Sequence, residues 1–154
     1  MTKLTWLAGC LVCFSLFAQP NKQREIFTLI SNKDIGMLVE YYKDKPFQEI
    51  EYSELYKTHV SILVYAAMEG NTDILDFYAK QGLDLSKRQS SPNADSGGNL
   101  LHDAACICNL DTFKYLADIG LDIQEPDDNG LSPLDIARMF QCSSIEQFIL
   151  KTLK

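Results

Sequence analysis

The feature that most constrains the fold of this 154-residue chain is a turn that runs directly into a helix start, at residues 127–137. Asp128-Asn129-Gly130 is typical of a tight turn, because Asn and Gly tolerate a positive φ. Ser132 is a favourable N-cap, and Pro133 suits the first helical position because its missing N–H would be unsatisfied there anyway. Asp135 stands three residues after Ser132 and completes the pattern of a capping box. The stretch therefore predicts a short helix whose start is fixed by its own side chains.

This turn-and-helix unit recurs along the chain. Residues 97–105 have the same layout, and residues 61–67 match them further upstream. The second halves of the units also match, residues 70–75 with 108–113 and, more weakly, residues 31–35 with 70–74. Leu101 precedes Leu134 by 33 residues. Leu63 precedes Leu101 by 38 residues, and residues 31–35 precede residues 70–74 by 39. Matching units 33 to 39 residues apart indicate a stack of repeated helical units, each too small to bury its apolar face alone.

The units resemble ankyrin repeats, in which a glycine turn precedes Thr-Pro-Leu-His and two alanines. The resemblance is carried by residues 97–105 and 130–137, and by Gly82-Leu83-Asp84 and Gly120-Leu121-Asp122, which are similar to the Gly-Ala-Asp that closes a repeat. It implies an all-α ankyrin-repeat solenoid of helix-turn-helix units with hairpin or loop fingers. The four repeats are expected at about residues 24–43, 61–84, 97–122 and 130–154.

The apolar residues of these repeats predict a continuous core. Ala66-Ala67 and Ala104-Ala105 are small where the helices must pack closely, and helix-spaced apolar residues are typical of buried faces. Leu63, Leu101 and Leu134 are expected between repeats. The second helices are expected to contribute Ile74, Leu75, Tyr78, Phe113, Leu116, Ile145, Phe148 and Ile149.

The first eighteen residues differ from the rest. Lys3, an apolar run from Leu4 to Phe17 and the small residue Ala18 predict a secretory signal peptide at residues 1–18, cleaved after Ala18. The run is shorter than the roughly 20 apolar residues that span a bilayer. Two alternatives stay open, a lipoprotein acylated at Cys10 and an uncleaved anchor. The prediction is a periplasmic or secreted protein whose single domain, residues 19–154, is not inserted in the membrane.

The formal charge of −7 bears on the partner. An acidic domain binds nucleic acid poorly and is repelled by anionic lipid, so neither is an expected partner. Solubility alone explains such a charge. Electrostatic steering towards a basic protein partner is the more specific interpretation.

Two connections between repeats, residues 44–60 and 85–98, are longer than the third. Insertions in repeat proteins fall in loops on one face, often the binding face. Phe47, Tyr52 and Tyr56 in the first connection are candidate partner contacts, and the spacing of the two tyrosines allows one helical turn. The alternative is that this segment packs over the first two repeats. The polar second connection, with Arg88 and Asp95, is either a partner loop or a tolerated insertion.

Histidine and cysteine offer a second interpretation, that of a thiol-dependent enzyme using His102, Cys106 and Cys108. His102 and Cys106 are four residues apart and would share a helix face. A thiolate nucleophile needs a pocket, an oxyanion donor and an orienting group, and zinc needs about four ligands. Neither set is visible, so no catalytic, cofactor-binding or metal-binding residue is predicted. A Cys108–Cys142 disulfide is conceivable in an oxidising compartment, with buried inert thiols as the alternative.

The resemblance implies a non-catalytic module, a monomer when free, that binds another protein. Ankyrin domains grip partners with the fingers and the concave faces of the first helices. The candidate contacts on those surfaces are Tyr65, Glu69, Asp103, Ile107, Asp128 and Arg138. An immunity or inhibitor protein acting on a basic toxin or enzyme is the favoured hypothesis, and a periplasmic scaffold that stabilises a resident enzyme is the alternative.

Overall fold

The computed structural model describes residues 22–53, 58–88 and 97–154. These residues form eight helices and one hairpin. The helices are α1 (Lys22–Ser31), α2 (Ile35–Tyr42), α3 (Ile62–Met68), α4 (Thr72–Lys80), α5 (Leu100–Cys106), α6 (Leu110–Asp118), α7 (Pro133–Met139) and α8 (Ser143–Thr152). They form four successive pairs, and each pair packs on the next. The predicted all-α solenoid is confirmed. The predicted signal peptide, residues 1–18, lies outside the described residues.

The first long connection contains an antiparallel hairpin of β1 (Ile50–Ser53) and β2 (Thr58–Ser61). Tyr52 pairs with His59 in the extended ladder, so the helical turn that the spacing of the two tyrosines allowed does not begin at Tyr52. The hairpin ends at Ser61, whose hydroxyl caps α3 by accepting from the backbone N–H of Leu63 at 3.2 Å. The strand therefore leads straight into the first helix of the next pair.

The turn at residues 127–137 has the conformation that its sequence predicts. Asp127 Oδ1 accepts from the N–H groups of Asn129 and Leu131, both at 2.9 Å. Ser132 Oγ accepts from Asp135 N at 3.2 Å, and Asp135 Oδ2 accepts from Ser132 N at 2.9 Å, which completes the capping box. These reciprocal bonds satisfy N–H groups that the first turn of α7 leaves without helical partners.

Within each pair, the chain reverses through one residue in the left-handed region, and the next residue stands at the N-cap position of the second helix. The reversing residues are Lys33, Gly70, Cys108 and Gln141, with φ of 58°, 69°, 60° and 59°. The capping positions are Asp34, Asn71, Asn109 and Cys142. Asn71 Nδ2 also donates to Ile30 O of the preceding pair at 2.6 Å, so this position ties neighbouring pairs together.

The predicted core is largely confirmed. Its fully buried members include Leu63, Ala66, Ala67, Ile74, Leu75, Tyr78, Leu101, Ala104, Ala105, Phe113, Leu116, Ile145 and Ile149. Leu134 and Phe148 are only half-buried, because α7 and α8 pack against α5 and α6 on one side only. No helix within the described ranges has the length and apolarity needed to cross a bilayer.

The outer face of the last pair is polar where the inner pairs are apolar. Ala105 and Phe113 are fully buried, and the equivalent residues of the last pair are Arg138 and Glu146. Arg138 Nε donates to Glu146 Oε1 at 2.9 Å, and both side chains remain partly exposed. A polar outer face is what a terminal repeat needs to stay in water.

Candidate partner-binding surface

The ends of three first helices share a row of accessible side chains. The last residue of α3, α5 and α7 and the residue after it stand at equivalent positions, since each pair directly precedes the reversing residue of its turn. Stacked repeats place equivalent positions side by side. We call the six residues the helix-end stripe: Met68, Glu69, Cys106, Ile107, Met139 and Phe140.

The helix-end stripe is mainly apolar and most open at its C-terminal end. Met139 is 59% exposed and Phe140 is 49% exposed, whereas Cys106 and Ile107 are half-buried. Exposed apolar groups that are contiguous, rather than scattered, mark binding surfaces. Methionine adds a flexible, polarisable side chain that adapts to a partner.

The backbone beneath the stripe is fixed. The N–H groups of Glu69, Ile107 and Phe140 each bond the carbonyl four residues earlier, at 3.0, 3.2 and 3.0 Å. Each of these residues ends its helix because the next residue turns into the left-handed region. The stripe is therefore held by helix geometry and not by a loop, which reduces the ordering cost of binding.

Acidic residues flank the stripe. Glu69 is part of it, and Asp73 and Asp111 stand exposed in the first turns of α4 and α6. No ion pair joins these three carboxylates to a cation within the described ranges. Their charge is thus available to attract a basic surface.

Two predicted partner contacts are buried, which corrects the expectation that they lie on the accessible concave face. Tyr65 is 8% exposed, its hydroxyl lies 3.0 Å from Ser31 Oγ, and its ring meets Phe27 edge to face. Asp103 occupies the equivalent position in α5 and is 7% exposed. This position on the first helix is used for packing inside the stack. Accessibility begins three residues later, at the helix end.

The first connection supplies an aromatic residue to the core instead of to an open face. Phe47 is half-buried, stacks on Tyr42 with ring centroids 4.1 Å apart and lies 6.0 Å from the ring of Phe77. Packing over the first two pairs accounts for its position, as the alternative interpretation expected. The backbone of Tyr52 is in β1, and Tyr56 and Asp95 lie outside the described residues.

Arg88 fastens the second connection to the third. Its guanidinium donates to Asp128 Oδ1 at 2.6 Å, Glu125 Oε1 at 3.1 Å, Pro126 O at 2.7 Å and Gly97 O at 3.2 Å. These four contacts come from the two terminal nitrogens of the planar donor fork, two contacts from each. Arg88 and Asp128, both predicted partner contacts, thus form an ion pair with each other. Arg138, another of them, is paired with Glu146 on the outer face.

His102 holds two turns together. Asn99 N donates to His102 Nδ1 at 3.2 Å, and His102 Nε2 donates to Leu131 O at 3.1 Å. Burial is the main cause that lowers the pKa of His102, partly opposed by its backbone hydrogen bonds. The ring is therefore neutral near pH 7, and both of its nitrogens have structural partners.

The cysteines do not form a reactive thiol site with His102. Cys108 and Cys142 are joined in a disulfide, with Cα atoms 5.1 Å apart. Cys106 is the free cysteine of the described part, and burial, with the charge of Asp103 as a lesser cause, raises the pKa of its thiol. A raised pKa keeps a thiol protonated and weakly nucleophilic. No group of His, Cys, Asp and Glu among the described residues is arranged to hold a metal ion.

Reasoning from sequence identified Glu69 and Ile107 but missed Met68, Cys106, Met139 and Phe140. The signal was present, because each of the four stands one or two residues before a reversing residue, Gly70, Cys108 or Gln141. Of these four residues, Met139 and Phe140 are exposed, whereas Met68 and Cys106 are half-buried and also pack against the core. The end of α7 is therefore the part of the stripe most available to a partner.

Stacked helix pairs that expose one row of helix ends define a helical-repeat binding scaffold. The model of the family described as ankyrin repeats matches residues 63–153 in three copies. The chain belongs to the ankyrin-repeat family. The pair α1–α2 precedes the matched residues and packs on α3 as an additional helical pair.

Two curated relatives are similar to this chain in sequence. Over 147 residues, the chain is 24% identical to human diacylglycerol kinase iota, covering 71% of this chain and 14% of that protein. Over 72 residues, it is 32% identical to the potassium channel AKT1 of Arabidopsis thaliana, covering 47% of this chain and 8% of the channel. The chain thus spans a small fraction of the length of these relatives.

Proposed function

We propose that this chain is an exported, non-catalytic module that binds a protein partner through the helix-end stripe and inhibits or stabilises it. Ankyrin repeats imply a protein–protein interaction module. The observation that carries the proposal is the open end of the stripe, where Met139 and Phe140 are 59% and 49% exposed on a rigid helix end. Large exposed apolar side chains in a row are costly in water unless a partner covers them.

The charge of the molecule supports a basic partner. The chain carries a formal charge of −7, and Glu69, Asp73 and Asp111 flank the stripe. An apolar centre with a charged rim is the usual anatomy of a protein interface. A toxin or enzyme with a basic, partly apolar surface fits this arrangement, which favours an inhibitor or immunity role over a general scaffold.

Two features support export. The charged start, apolar run and small residue at positions 1–18 have the pattern of a signal peptide. The Cys108–Cys142 disulfide suits the oxidising periplasm or the cell exterior. Intact-mass analysis of the protein from its own cells tests this part, since a mature chain beginning at Gln19 is expected.

The absence of catalysis is part of the proposal. The nitrogens of His102 bond Asn99 and Leu131, and Cys108 is tied to Cys142. The activities in the names of the two relatives are not proposed for this chain, because it covers only 14% of one relative and 8% of the other.

The stripe is tested by capturing the partner from the source cells with matched variants. Phe140→Glu places a charge in the stripe, and Ile119→Glu places the same charge on an apolar residue of similar exposure, 47%, at the end of α6. We expect wild type and Ile119→Glu to capture the same protein in a one-to-one ratio, and Phe140→Glu to bind it at least about tenfold more weakly. Equal affinity of all three would remove the stripe from the binding site.

The identity of the captured protein separates the two roles. A toxin or hydrolase whose activity is blocked in the complex supports inhibition. A resident enzyme whose activity survives, and whose thermal stability rises in the complex, supports the scaffold role.

A further inference from the structure

The Cys108–Cys142 disulfide lies beside the backbone at the open end of the helix-end stripe. Cys108 follows Ile107, and Cys142 comes two residues after Phe140. Phe140 O lies 3.9 Å from Cys108 Sγ and 3.7 Å from Cys142 Sγ. The bond thus joins the turn of the third pair to the turn of the fourth at the backbone that positions Phe140.

The disulfide stands where another interface of the stack has a hydrogen bond. Asn71 Nδ2 donates to Ile30 O of the preceding pair at 2.6 Å. Cys142 holds the equivalent capping position, and its Sγ lies 3.1 Å from Ala105 O, the carbonyl equivalent to that of Ile30. The backbone is nearly the same, with φ and ψ of −105° and 76° at Asn71 and −83° and 71° at Cys142. At the last interface, the Cys108–Cys142 disulfide therefore takes the place of the side-chain hydrogen bond that Asn71 makes at the first interface.

We propose that this disulfide is a redox-operated clasp that holds α7 and α8 in place and thereby sets the geometry of Met139 and Phe140 for binding. The regulatory consequence rests on the proposed binding function, whereas the clasp itself does not. A dithiol reductant opens the clasp. It transfers two electrons and two protons, so that the S–S bond is replaced by two thiols, while the dithiol closes to its own disulfide.

Opening is expected to loosen the last pair first. The pair α7–α8 has one neighbour, and its outer face carries the polar Arg138–Glu146 pair. A terminal repeat is stabilised by a single interface. Losing a cross-link that closes a 34-residue separation gives the opened chain more freedom, and a thiol at Cys142 is a much weaker donor than the Asn71 amide.

Cys106 does not compete with the clasp. It is half-buried beside Asp103, and burial raises the pKa of its thiol. It therefore stays protonated at neutral pH, where thiol–disulfide exchange needs a thiolate. Cys106→Ser is accordingly a control for hydrogen exchange, in which it should respond to reductant as wild type does.

The clasp is tested by hydrogen exchange on the mature protein, before and after treatment with dithiothreitol. Peptide mapping without reductant must first find Cys108 linked to Cys142, and its absence would overturn the proposal. On reduction we expect exchange in residues 133–152 to accelerate at least about tenfold, while residues 62–80 stay protected. Uniform protection in both states, or equal acceleration along the whole chain, would also overturn it.

A second variant distinguishes the clasp from general destabilisation. The double substitution Cys108→Gly and Cys142→Asn rebuilds the pair found at Gly70 and Asn71, where φ of the glycine is 69° and that of Cys108 is 60°. We expect this double variant to be protected in residues 133–152 with or without dithiothreitol. Cys142→Ala, which has neither the disulfide nor a side-chain donor for Ala105 O, should exchange rapidly in both conditions.

Binding then separates this inference from the proposed function. With the captured partner, oxidised wild type and the double variant (Cys108→Gly with Cys142→Asn) should bind alike, and reduced wild type should bind at least about tenfold more weakly. If Phe140→Glu abolishes binding but reduction does not weaken it, the binding function stands and its redox control fails. If no partner is captured in either state, the binding function fails, and hydrogen exchange alone decides the clasp.

Discussion

At the scale of single residues, His102 makes the stability of the fold depend on pH. Burial lowers the pKa of His102 below the ordinary value of 6.5. Below about pH 6.5 the imidazole of the unfolded chain takes up a proton while the folded ring stays neutral. Unfolding therefore takes up protons, and the free energy of unfolding decreases as the pH decreases. Above that pH both states are neutral and His102 contributes no dependence. The loss begins near the unfolded pKa and levels off below the folded one.

Urea unfolding at pH 7.5 and pH 5.5 measures this effect, with His102→Gln as the control for the carboxylates that also titrate. We expect wild type to lose more stability than the variant between the two pH values. An equal loss in both proteins would show that His102 takes up its proton alike in the folded and unfolded chains.

Gly70 illustrates how strongly one turn is constrained. Its φ is 69°, and a Cβ placed there would lie only 2.3 Å from Asn109 Nδ2 of the next pair. We expect Gly70→Ala to destabilise the fold by about 2–3 kcal/mol, since positive φ and crowding both act. Gly82→Ala is the control, because φ is 93° but nothing lies within 4 Å, and about 1 kcal/mol is expected. Equal losses in urea unfolding would mean that Asn109 moves aside without cost.

At the scale of elements, Arg88 connects two loops that are far apart in the sequence. It bonds Asp128 and Glu125 while remaining 40% exposed, so solvent weakens both ion pairs. We expect Arg88→Ala to cost about 1 kcal/mol and to speed hydrogen exchange in residues 122–131. Lys87→Ala is the control, since it removes one pair, with Glu49, and should leave that loop protected. Unchanged hydrogen exchange in Arg88→Ala would show that residues 122–131 keep their conformation without the contacts of Arg88.

The elements also show what the sequence could and could not predict. The capping box of Ser132 and Asp135 and the repeated turns were predictable, because each depends on residues within one helical turn of each other. The contacts of Arg88 and the burial of Tyr65 were not, because they depend on segments 37–40 and 34 residues away. The distance of 5.1 Å between the Cα atoms of Cys108 and Cys142 could not be predicted either, because it depends on two turns 34 residues apart in the sequence. These turns approach each other more closely than packed helix axes, which are about 10 Å apart.

At the scale of the whole molecule, the polar outer face of the last pair is expected to keep the free protein monomeric. Arg138 and Glu146 stand at the positions that correspond to Ala105 and Phe113, which are fully buried in the inner interface. The double substitution Arg138→Ala and Glu146→Phe restores that inner pattern and should cause association that increases with concentration, because an apolar repeat face seeks a partner. Sedimentation equilibrium distinguishes the two forms. A wild-type dimer, or a monomeric double variant, would contradict this account of the face.

The net negative charge of the molecule is expected to raise the rate of association with a basic partner. The chain has a formal charge of −7, and Asp73 and Asp111 flank the stripe. Long-range attraction is screened over about 10 Å at 0.1 M salt, so it raises the association rate more than the lifetime of the complex. We expect the association rate with the captured partner to fall at least about tenfold between about 0.05 and about 0.5 M salt, with little change in dissociation. Asp73→Asn with Asp111→Asn should flatten that dependence, whereas Asp118→Asn, an exposed carboxylate at the end of α6, should not. A rate independent of salt in wild type would assign the charge to solubility and leave binding to the apolar side chains.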